Sequence, residues 1–137
     1  MKNQLLFGLV LTSVLLLSCK KTIEKKQESI LVQAMINGQW KVTNFHVDNS
    51  DITADFNTYT FQYFADKTVN AINNGIIEKT GNWDGDIASH TTWASFSGSS
   101  HPLSLLNGSW LITNNTWTYV VATQTNGNET KTMRLEK

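Results

Sequence analysis

The chain has 137 residues, 11 basic and 11 acidic side chains, and a formal net charge of zero at pH 7. This balance argues against a nucleic-acid partner, because phosphate contacts need clustered Lys and Arg side chains. The length suits one domain with one hydrophobic core. Cys19 is the single cysteine, so no internal disulfide can form and packing must stabilise the fold.

The first 18 residues have the pattern of a secretory signal. A basic start, Met1-Lys2-Asn3, precedes an apolar run from Leu5 to Leu17. That run is shorter than the roughly 20 apolar residues that a membrane-spanning helix needs. We therefore expect a cleaved signal peptide over residues 1–18 rather than a permanent span.

The residues at the cleavage point, Leu16-Leu17-Ser18-Cys19, resemble the lipobox of bacterial lipoproteins. The resemblance implies cleavage before Cys19 and diacylation of its thiol, which makes the membrane a partner through lipid. Two acyl chains hold a protein stably at a bilayer, whereas one chain holds it only marginally. The alternative is an ordinary signal peptide whose cysteine lies near the cut by chance. We favour the lipoprotein, because an exported protein seldom leaves a lone thiol without a role.

Residues 19–34 are predicted to form a flexible tether. Their charged residues are Lys20, Lys21, Glu24, Lys25, Lys26 and Glu28. We favour a solvated linker over lysine contacts with anionic headgroups. In lipoproteins of the Bacteroidetes type, surface export is associated with acidic residues soon after the cysteine, and this segment differs from that pattern. The resemblance therefore implies a lipid anchor in the cell envelope, at the outer membrane and facing the periplasm.

Residues 35–137 are predicted to form the folded domain. The apolar stretch Ile30–Ile36 before Asn37-Gly38 fits either a short helix or a first edge strand, and we favour the short helix. Strands are expected at residues 39–47, 59–63, 68–72, 76–79, 91–97, 110–113, 117–121 and 132–135. Many short strands with close turns indicate an all-β sandwich or barrel.

Turn residues and the spacing of large apolar residues add detail to these strand predictions. Asn73-Asn74-Gly75 and Asn126-Gly127 each separate two strand-like runs. Asn-Gly is the strongest short hairpin signal, because both residues tolerate positive φ. The large apolar residues of Trp40-Lys41-Val42 and Phe45-His46-Val47 lie in opposite phases, which indicates either a bulge near Thr43-Asn44 or a strand buried on both faces.

Two segments share the frame Asn-Gly-x-Trp-x-aliphatic-Thr-Asn, at residues 37–44 and 107–114. Gly38-Gln39-Trp40, at the start of the first strand, is similar to the Gly-x-Trp signature of lipocalins. The order of motifs resembles lipocalin-like lipoproteins of Bacteroidetes. That order is Gly38-Gln39-Trp40, Asp51–Phe56, an aromatic strand, Thr80-Gly81-Asn82-Trp83 and Leu105–Ile112.

The resemblance implies an all-β fold, a lipocalin-like up-and-down antiparallel barrel of about eight strands with a short N-terminal helical turn. It also implies an arginine that packs across the first-strand tryptophan. Arg134 is the only arginine and lies near the chain end, so we predict a cation–π contact between Arg134 and Trp40 within about 6 Å.

An eight-stranded barrel either fills itself with side chains or holds one small ligand. The resemblance implies a small apolar ligand. The candidate ligand-pocket residues are Tyr59, Phe61, Tyr63, Trp83, Trp93, Trp117 and Tyr119. Each of these aromatic residues also suits an ordinary hydrophobic core.

We predict no catalytic residues, no metal site and no cofactor, and therefore no enzyme. His46, His90 and His101 do not lie at metal-ligand spacing, and one cysteine excludes the cysteine-rich zinc sites. Asp84-Gly85-Asp86 lacks the further ligands of a calcium loop. No Gly-x-Ser-x-Gly elbow and no phosphate-binding glycine motif occurs.

Two classes of function stay open. The first is a membrane-anchored lipoprotein whose barrel binds or carries a small apolar ligand. The second is a cell-envelope interaction or inhibitor-like lipoprotein with a filled barrel and no small-molecule ligand. An open apolar cavity would favour the first, and a closed core with exposed apolar loops would favour the second.

Overall fold

The computed structural model describes the backbone of residues 2–137 and the side chains from Cys19 onward. An α-helix, α1, runs from Lys2 to Ile36. The predicted signal peptide, residues 1–18, lies outside the part whose side chains are described. Within the described residues, no helix combines the length and the apolar character that a membrane span requires.

The helix is longer than the short turn expected before the barrel. The structure places residues 19–34, where the sequence suggests a flexible tether, within α1 and not in an irregular segment. Lys, Glu and Gln are strong helix formers, and they make up most of the polar part of this stretch. The last two turns of the helix are the part that the apolar stretch Ile30–Ile36 predicts.

Nine β-strands follow α1 in the described chain, and they confirm the all-β antiparallel prediction. Two short 3₁₀-helices, Thr53–Phe56 and Leu103–Leu106, interrupt the series. The strands are β1 (Lys41–Val47), β2 (Ser50–Asp51), β3 (Tyr59–Tyr63), β4 (Thr68–Asn73), β5 (Ile76–Asp86), β6 (Thr91–Ser95), β7 (Gly108–Asn115), β8 (Tyr119–Asn126) and β9 (Glu129–Glu136).

The strands form one curled sheet with up-and-down order. From β3 to β9 each strand pairs with the next one in the chain, and β9 then pairs with β1. At the remaining seam, the backbone N–H of Trp40 donates to the carbonyl of Phe61 (2.9 Å), and the N–H of Phe61 donates back (2.8 Å). This single bridge closes eight strands into a barrel, while β2 only extends the turn after β1.

The alternating strand directions give the barrel two different ends. One end carries α1, the connections after β3, β5 and β7, and the chain terminus; we call it the open end. The other end carries both 3₁₀-helices and the two Asn-Gly hairpins; we call it the closed end. Phe56 and Leu103, from the two 3₁₀-helices, are buried there.

The turns at the two Asn-Gly sites have the conformation that the sequence predicts. The predicted hairpins join β4 to β5 and β8 to β9. Asn74 (φ 50°), Gly75 (φ 80°) and Gly127 (φ 60°) all take the positive φ that such turns require.

A bulge in β1 confirms the phase change near Thr43-Asn44. Pairing with β9 shifts register between Val42 and Asn44. Both Val42 and Phe45 are therefore buried although they lie three residues apart.

The hydrophobic core is continuous from the last turns of α1 to β9. Its buried members run from Met35 to Leu135, and no described charged residue is buried among them. The chain from Cys19 onward therefore contains the whole described core.

Trp40 is the residue on which we expect stability to depend most. Its side chain is 0% exposed, and its backbone forms the bridge that closes the barrel. We expect Trp40→Ala to lower the free energy of unfolding by about 3–5 kcal/mol, because a large cavity replaces the indole. Trp93→Ala, at an exposed position, should cost less than about 1 kcal/mol. Urea denaturation of both variants measures the difference; equal losses would contradict the assignment.

Candidate functional site

A cavity of about 430 Å³ lies inside the barrel and opens at the open end. Inward-facing side chains from most strands form its walls, and its apolar surface exceeds its polar surface. The lining comprises Ile30, Leu31, Ala34, Met35, Trp40, Phe61, Tyr63, Trp83, Asp86, Ile87, His90, Thr92, Trp93, Ala94, Phe96, Leu106, Trp110, Ile112, Asn115, Thr116, Trp117, Val120, Met133 and Leu135.

Close aromatic packing stops the cavity short of the closed end. The Phe45 ring stacks on Phe56 with centroids 5.0 Å apart, and it meets the Trp110 ring edge-on at 5.9 Å. The Trp110 indole N–H donates to the carbonyl of Leu106 (2.9 Å), which fixes the ring against the second 3₁₀-helix. The barrel is thus filled at one end and hollow towards the other.

Trp40 lies on the wall of the cavity where α1 meets the barrel. Its indole N–H donates to the carbonyl of Met35 (2.8 Å), so the helix end and the first strand are joined through this side chain. The ammonium of Lys137 lies 4.8 Å from the Trp40 ring centroid and donates to the carbonyl of Ala34 (2.7 Å). Partial burial in this position lowers the pKa of Lys137.

The predicted contact between Arg134 and Trp40 is therefore wrong. Met133 and Leu135 face inwards on β9, so strand alternation directs Arg134 to the outer surface. There its guanidinium lies 4.1 Å from the Tyr119 ring centroid and its Nε donates to Glu136 (2.7 Å). Lys137 occupies the cationic position over Trp40 instead.

The last turns of α1 form one side of the cavity mouth, which the sequence reasoning missed. Leu31 packs on Gly85, where a Cβ atom would lie 2.7 Å from a Leu31 methyl carbon. The Gln62 side chain donates to the carbonyl of Ile36 (3.3 Å), which ties the helix end to β3. The signal was the spacing of Leu31 and Met35, four residues apart, which places both on one helix face.

Five of the seven predicted pocket residues border the cavity, and three of the five lie inside the barrel. They are Phe61 and Tyr63 on β3 and Trp83 on β5. Tyr63 and Trp83 meet edge-on with centroids 5.2 Å apart, and the Trp83 indole N–H donates to the carbonyl of Phe64 (3.1 Å).

The two exposed tryptophans border the cavity in different ways. Trp117, in the connection between β7 and β8, lies at the mouth and is 59% exposed. Trp93 is paired with Asp84 and Ser109, while its neighbours Thr92 and Ala94 take the inward positions. The Trp93 ring therefore faces outwards and is 41% exposed.

The other two predicted pocket residues, Tyr59 and Tyr119, do not line the cavity. Tyr59 belongs to the packing of the closed end, where its hydroxyl donates to both carboxylate oxygens of Glu78 (3.0 and 2.9 Å). Burial, with the Glu78 contact, raises the pKa of Tyr59. Tyr119 lies on the outer surface under Arg134.

The Tyr63 hydroxyl is a polar group within the apolar wall. No hydrogen bond joins it to another residue of the described chain. Tyr63 keeps some accessible surface because it lines a cavity, but protein atoms surround its hydroxyl, and this burial raises its pKa well above the ordinary value. A neutral phenol that lacks a protein partner is free to hydrogen-bond a bound molecule.

A salt bridge stabilises the rim beside Tyr63 and Trp83. The Lys67 ammonium lies 2.6 Å from Asp84 and 3.8 Å from Glu28 on α1. Its hydrogen bond to Asp84 lowers the pKa of that carboxyl group. The same ammonium lies 5.2 Å from the Trp83 ring centroid, so one lysine connects the helix, the rim and the cavity wall.

Polar side chains surround the mouth of the cavity. Asp86, His90 and Asn115 border the opening. Asp86 accepts from the backbone N–H of Ala88 (2.9 Å), as expected for a turn residue. No group of three metal-ligating side chains comes together among the described residues.

The other two histidines lie away from the cavity. His46 on β1 is hydrogen-bonded to Asn44 (3.0 Å), and His101 pairs with Asp55 (2.7 Å) at the closed end. Cys19, the predicted attachment site, is an exposed free thiol on α1.

Comparison with known proteins supports the fold. No family model and no curated protein matches the chain. Among solved structures, it is similar to a DUF4847 family protein from Bacteroides vulgatus ATCC 8482, with a TM-score of 0.54 and 11% sequence identity. The match covers 77% of this chain and 96% of that one. At this identity the likeness concerns the fold alone.

The buried phenol of Tyr63 should make stability fall in alkali. Because its pKa is higher in the folded than in the unfolded protein, its contribution is fully present below about pH 10, the ordinary tyrosine value, and is lost as the pH rises through the raised folded value. We expect Tyr63→Phe to flatten the alkaline decline in urea midpoints, and Tyr59→Phe/Tyr63→Phe to flatten it further. An unchanged decline in both variants would contradict this.

Proposed function

We propose that this protein is a lipid-anchored binding protein of the cell envelope, whose barrel holds one small apolar molecule. The observation that carries the proposal is the open cavity of about 430 Å³, whose size lies within the range of small-molecule sites. A barrel filled with side chains, the basis of the interaction or inhibitor-like alternative, would leave no such space.

The chemistry of the walls indicates what kind of molecule fits. Aromatic and aliphatic side chains, among them Trp40, Phe61 and Trp83, cover the interior. Inside this surface stands the unpartnered Tyr63 hydroxyl, and Asp86 and His90 lie at the mouth. A suitable ligand has an apolar body with one hydrogen-bonding group for Tyr63, and any further polar group near the mouth.

Binding suits this cavity better than catalysis. Catalytic acid–base groups act within hydrogen-bond reach of one another or of the reacting atom. Among the described residues that line the cavity, no two titratable side chains are hydrogen-bonded to each other. We therefore propose a binding role without a cofactor.

The proposed anchor is Cys19. The cysteine follows an apolar run of signal length, and its thiol is exposed on α1. With the lipid attached there, the barrel would stay beside a membrane, and we place it at the outer membrane on the periplasmic side. The resemblance to lipocalin-like lipoproteins supports both parts of this proposal.

Filling the cavity tests the binding role. Ile112 faces the cavity, whereas its neighbour Leu111 is exposed on the outer face of the same strand. We expect Ile112→Trp to weaken binding of anilinonaphthalene sulfonate, a small apolar fluorescent probe, by about tenfold, because the indole occupies the ligand's space. Leu111→Trp is the matched control and should bind as the wild type does.

Native mass spectrometry of the purified protein adds a second measurement. We expect a co-purifying small molecule in the wild type and in Leu111→Trp, and its loss in Ile112→Trp. An empty wild-type protein that also fails to bind the probe would overturn the ligand proposal.

Removing the thiol tests the anchor. We expect Cys19→Ser, exported behind a signal peptide whose cleavage does not require a lipobox, to move the protein from the membrane fraction to the soluble fraction, because the acyl chains have no other attachment point in this chain. Circular dichroism should show an unchanged β-sheet spectrum, since Cys19 is exposed. Retention of the variant in the membrane fraction after a salt wash would contradict lipid anchoring through this residue.

A further inference from the structure

Exposed apolar side chains project from separate elements at the open end of the barrel. Trp117 lies in the connection after β7 and is 59% exposed, and Phe64 lies in the connection after β3 and is 38% exposed. Ile30 on α1 is also exposed, at 47%. These three side chains surround the side of the molecule on which the cavity opens.

The same end receives the part of the chain that carries Cys19. Lys67 at the rim contacts Glu28 of α1, and Cys19 lies nine residues earlier, about 14 Å along the helix. A lipid on Cys19 would therefore hold the open end, and not the closed end, close to the bilayer.

Charge on this part of α1 suits an anionic surface. Residues 19–28 carry four lysines and two glutamates. The four lysines are exposed on the helix. The local excess of positive charge is attracted to anionic phospholipids within a Debye length of the membrane.

We propose that the open end docks onto a phospholipid bilayer, with Trp117 and Phe64 inserted at the headgroup level and the cavity mouth facing the membrane. Tryptophan prefers this interface, because its ring has an apolar body and a polar N–H. This inference rests on the proposed attachment at Cys19 and not on the identity of a ligand.

A bilayer fits these side chains better than a protein partner does. A stable protein interface needs a continuous surface of about 800 Å² on each side. Here the apolar side chains stand on different connections, with polar residues such as Asp66 and Thr116 beside them. Lipid can accommodate each side chain separately, so no continuous patch is required.

The orientation also gives an apolar ligand a route. A molecule that leaves the bilayer would enter the barrel between α1 and the connections after β5 and β7, where the mouth lies. It would not have to cross bulk water, which costs free energy for every exposed apolar group.

The sole cysteine allows a direct test. The chain from Cys19 onward can be coupled through that thiol to a maleimide lipid in vesicles of phosphatidylethanolamine and phosphatidylglycerol. Brominated acyl chains quench tryptophans that lie at the bilayer. We expect quenching in the wild type, loss of most of it in Trp117→Phe, and its retention in Trp93→Phe, which removes the other exposed indole.

Phe64 and Ile76, exposed at opposite ends of the barrel, allow a second matched pair of variants. Ile76, at the closed end, is 73% exposed and thus more accessible than Phe64. Phe64→Ser should reduce the quenching of Trp117, whereas Ile76→Ser should leave it unchanged. Absence of quenching in the tethered wild type, or equal effects of the two substitutions, would overturn the proposal.

The outcomes separate this inference from the proposed function. If quenching is absent while probe binding and Cys19-dependent fractionation are normal, only the docking proposal is disproved. If quenching is normal but the protein binds no probe and carries no co-purifying molecule, only the ligand proposal is disproved. Membrane retention of Cys19→Ser, together with quenching in the tethered protein, would show docking without a lipid anchor at this residue.

Discussion

The closure of the barrel at Trp40 is the constraint on which the rest of the structure depends. Its backbone supplies the two hydrogen bonds of the seam with Phe61. Its indole N–H binds the end of α1 through Met35, and Lys137 from the chain terminus lies over its ring. One buried residue thus joins the helix, the first strand, the third strand and the terminus through its backbone and its side chain. Since all these elements surround the cavity mouth, the shape of the mouth depends on this residue.

The second Asn-Gly-x-Trp segment, residues 107–110, forms a similar arrangement at the closed end of the barrel. Gly38 (φ 92°) and Gly108 (φ 101°) both take a backbone conformation that glycine allows at least cost. Each following tryptophan donates its indole N–H to a carbonyl at the end of a preceding helix, α1 for Trp40 and the second 3₁₀-helix for Trp110. The repeated sequence therefore performs one structural task twice, once beside the mouth and once at the filled end.

The sequence predicted where most strands lie, because their signals are local, but it ended the strand at residue 79 that continues to Asp86. Alternation in Tyr59–Tyr63 and the Asn-Gly turns depend on neighbouring residues, and the bulge near Thr43 followed from a phase change within one strand. The cavity lining was harder to predict, because the inward or outward direction of a side chain depends on register between distant strands. Trp93 faces outwards through its pairing with Asp84 and Ser109, which no local pattern reveals.

The cation that covers Trp40 shows the same limit of local patterns, because the sequence suggested Arg134 and the structure has Lys137 there. The resemblance to lipocalins suggested an arginine over Trp40, and Arg134 is the only arginine, but the inward positions of Met133 and Leu135 on β9 direct Arg134 outwards. Lys137 lies past the last strand residue, where alternation no longer applies, and its ammonium lies 4.8 Å from the Trp40 ring centroid. A cation over this indole also covers the helix end through Ala34. Lys137 therefore covers Trp40 because it lies beyond the end of β9, and not because it is a lysine.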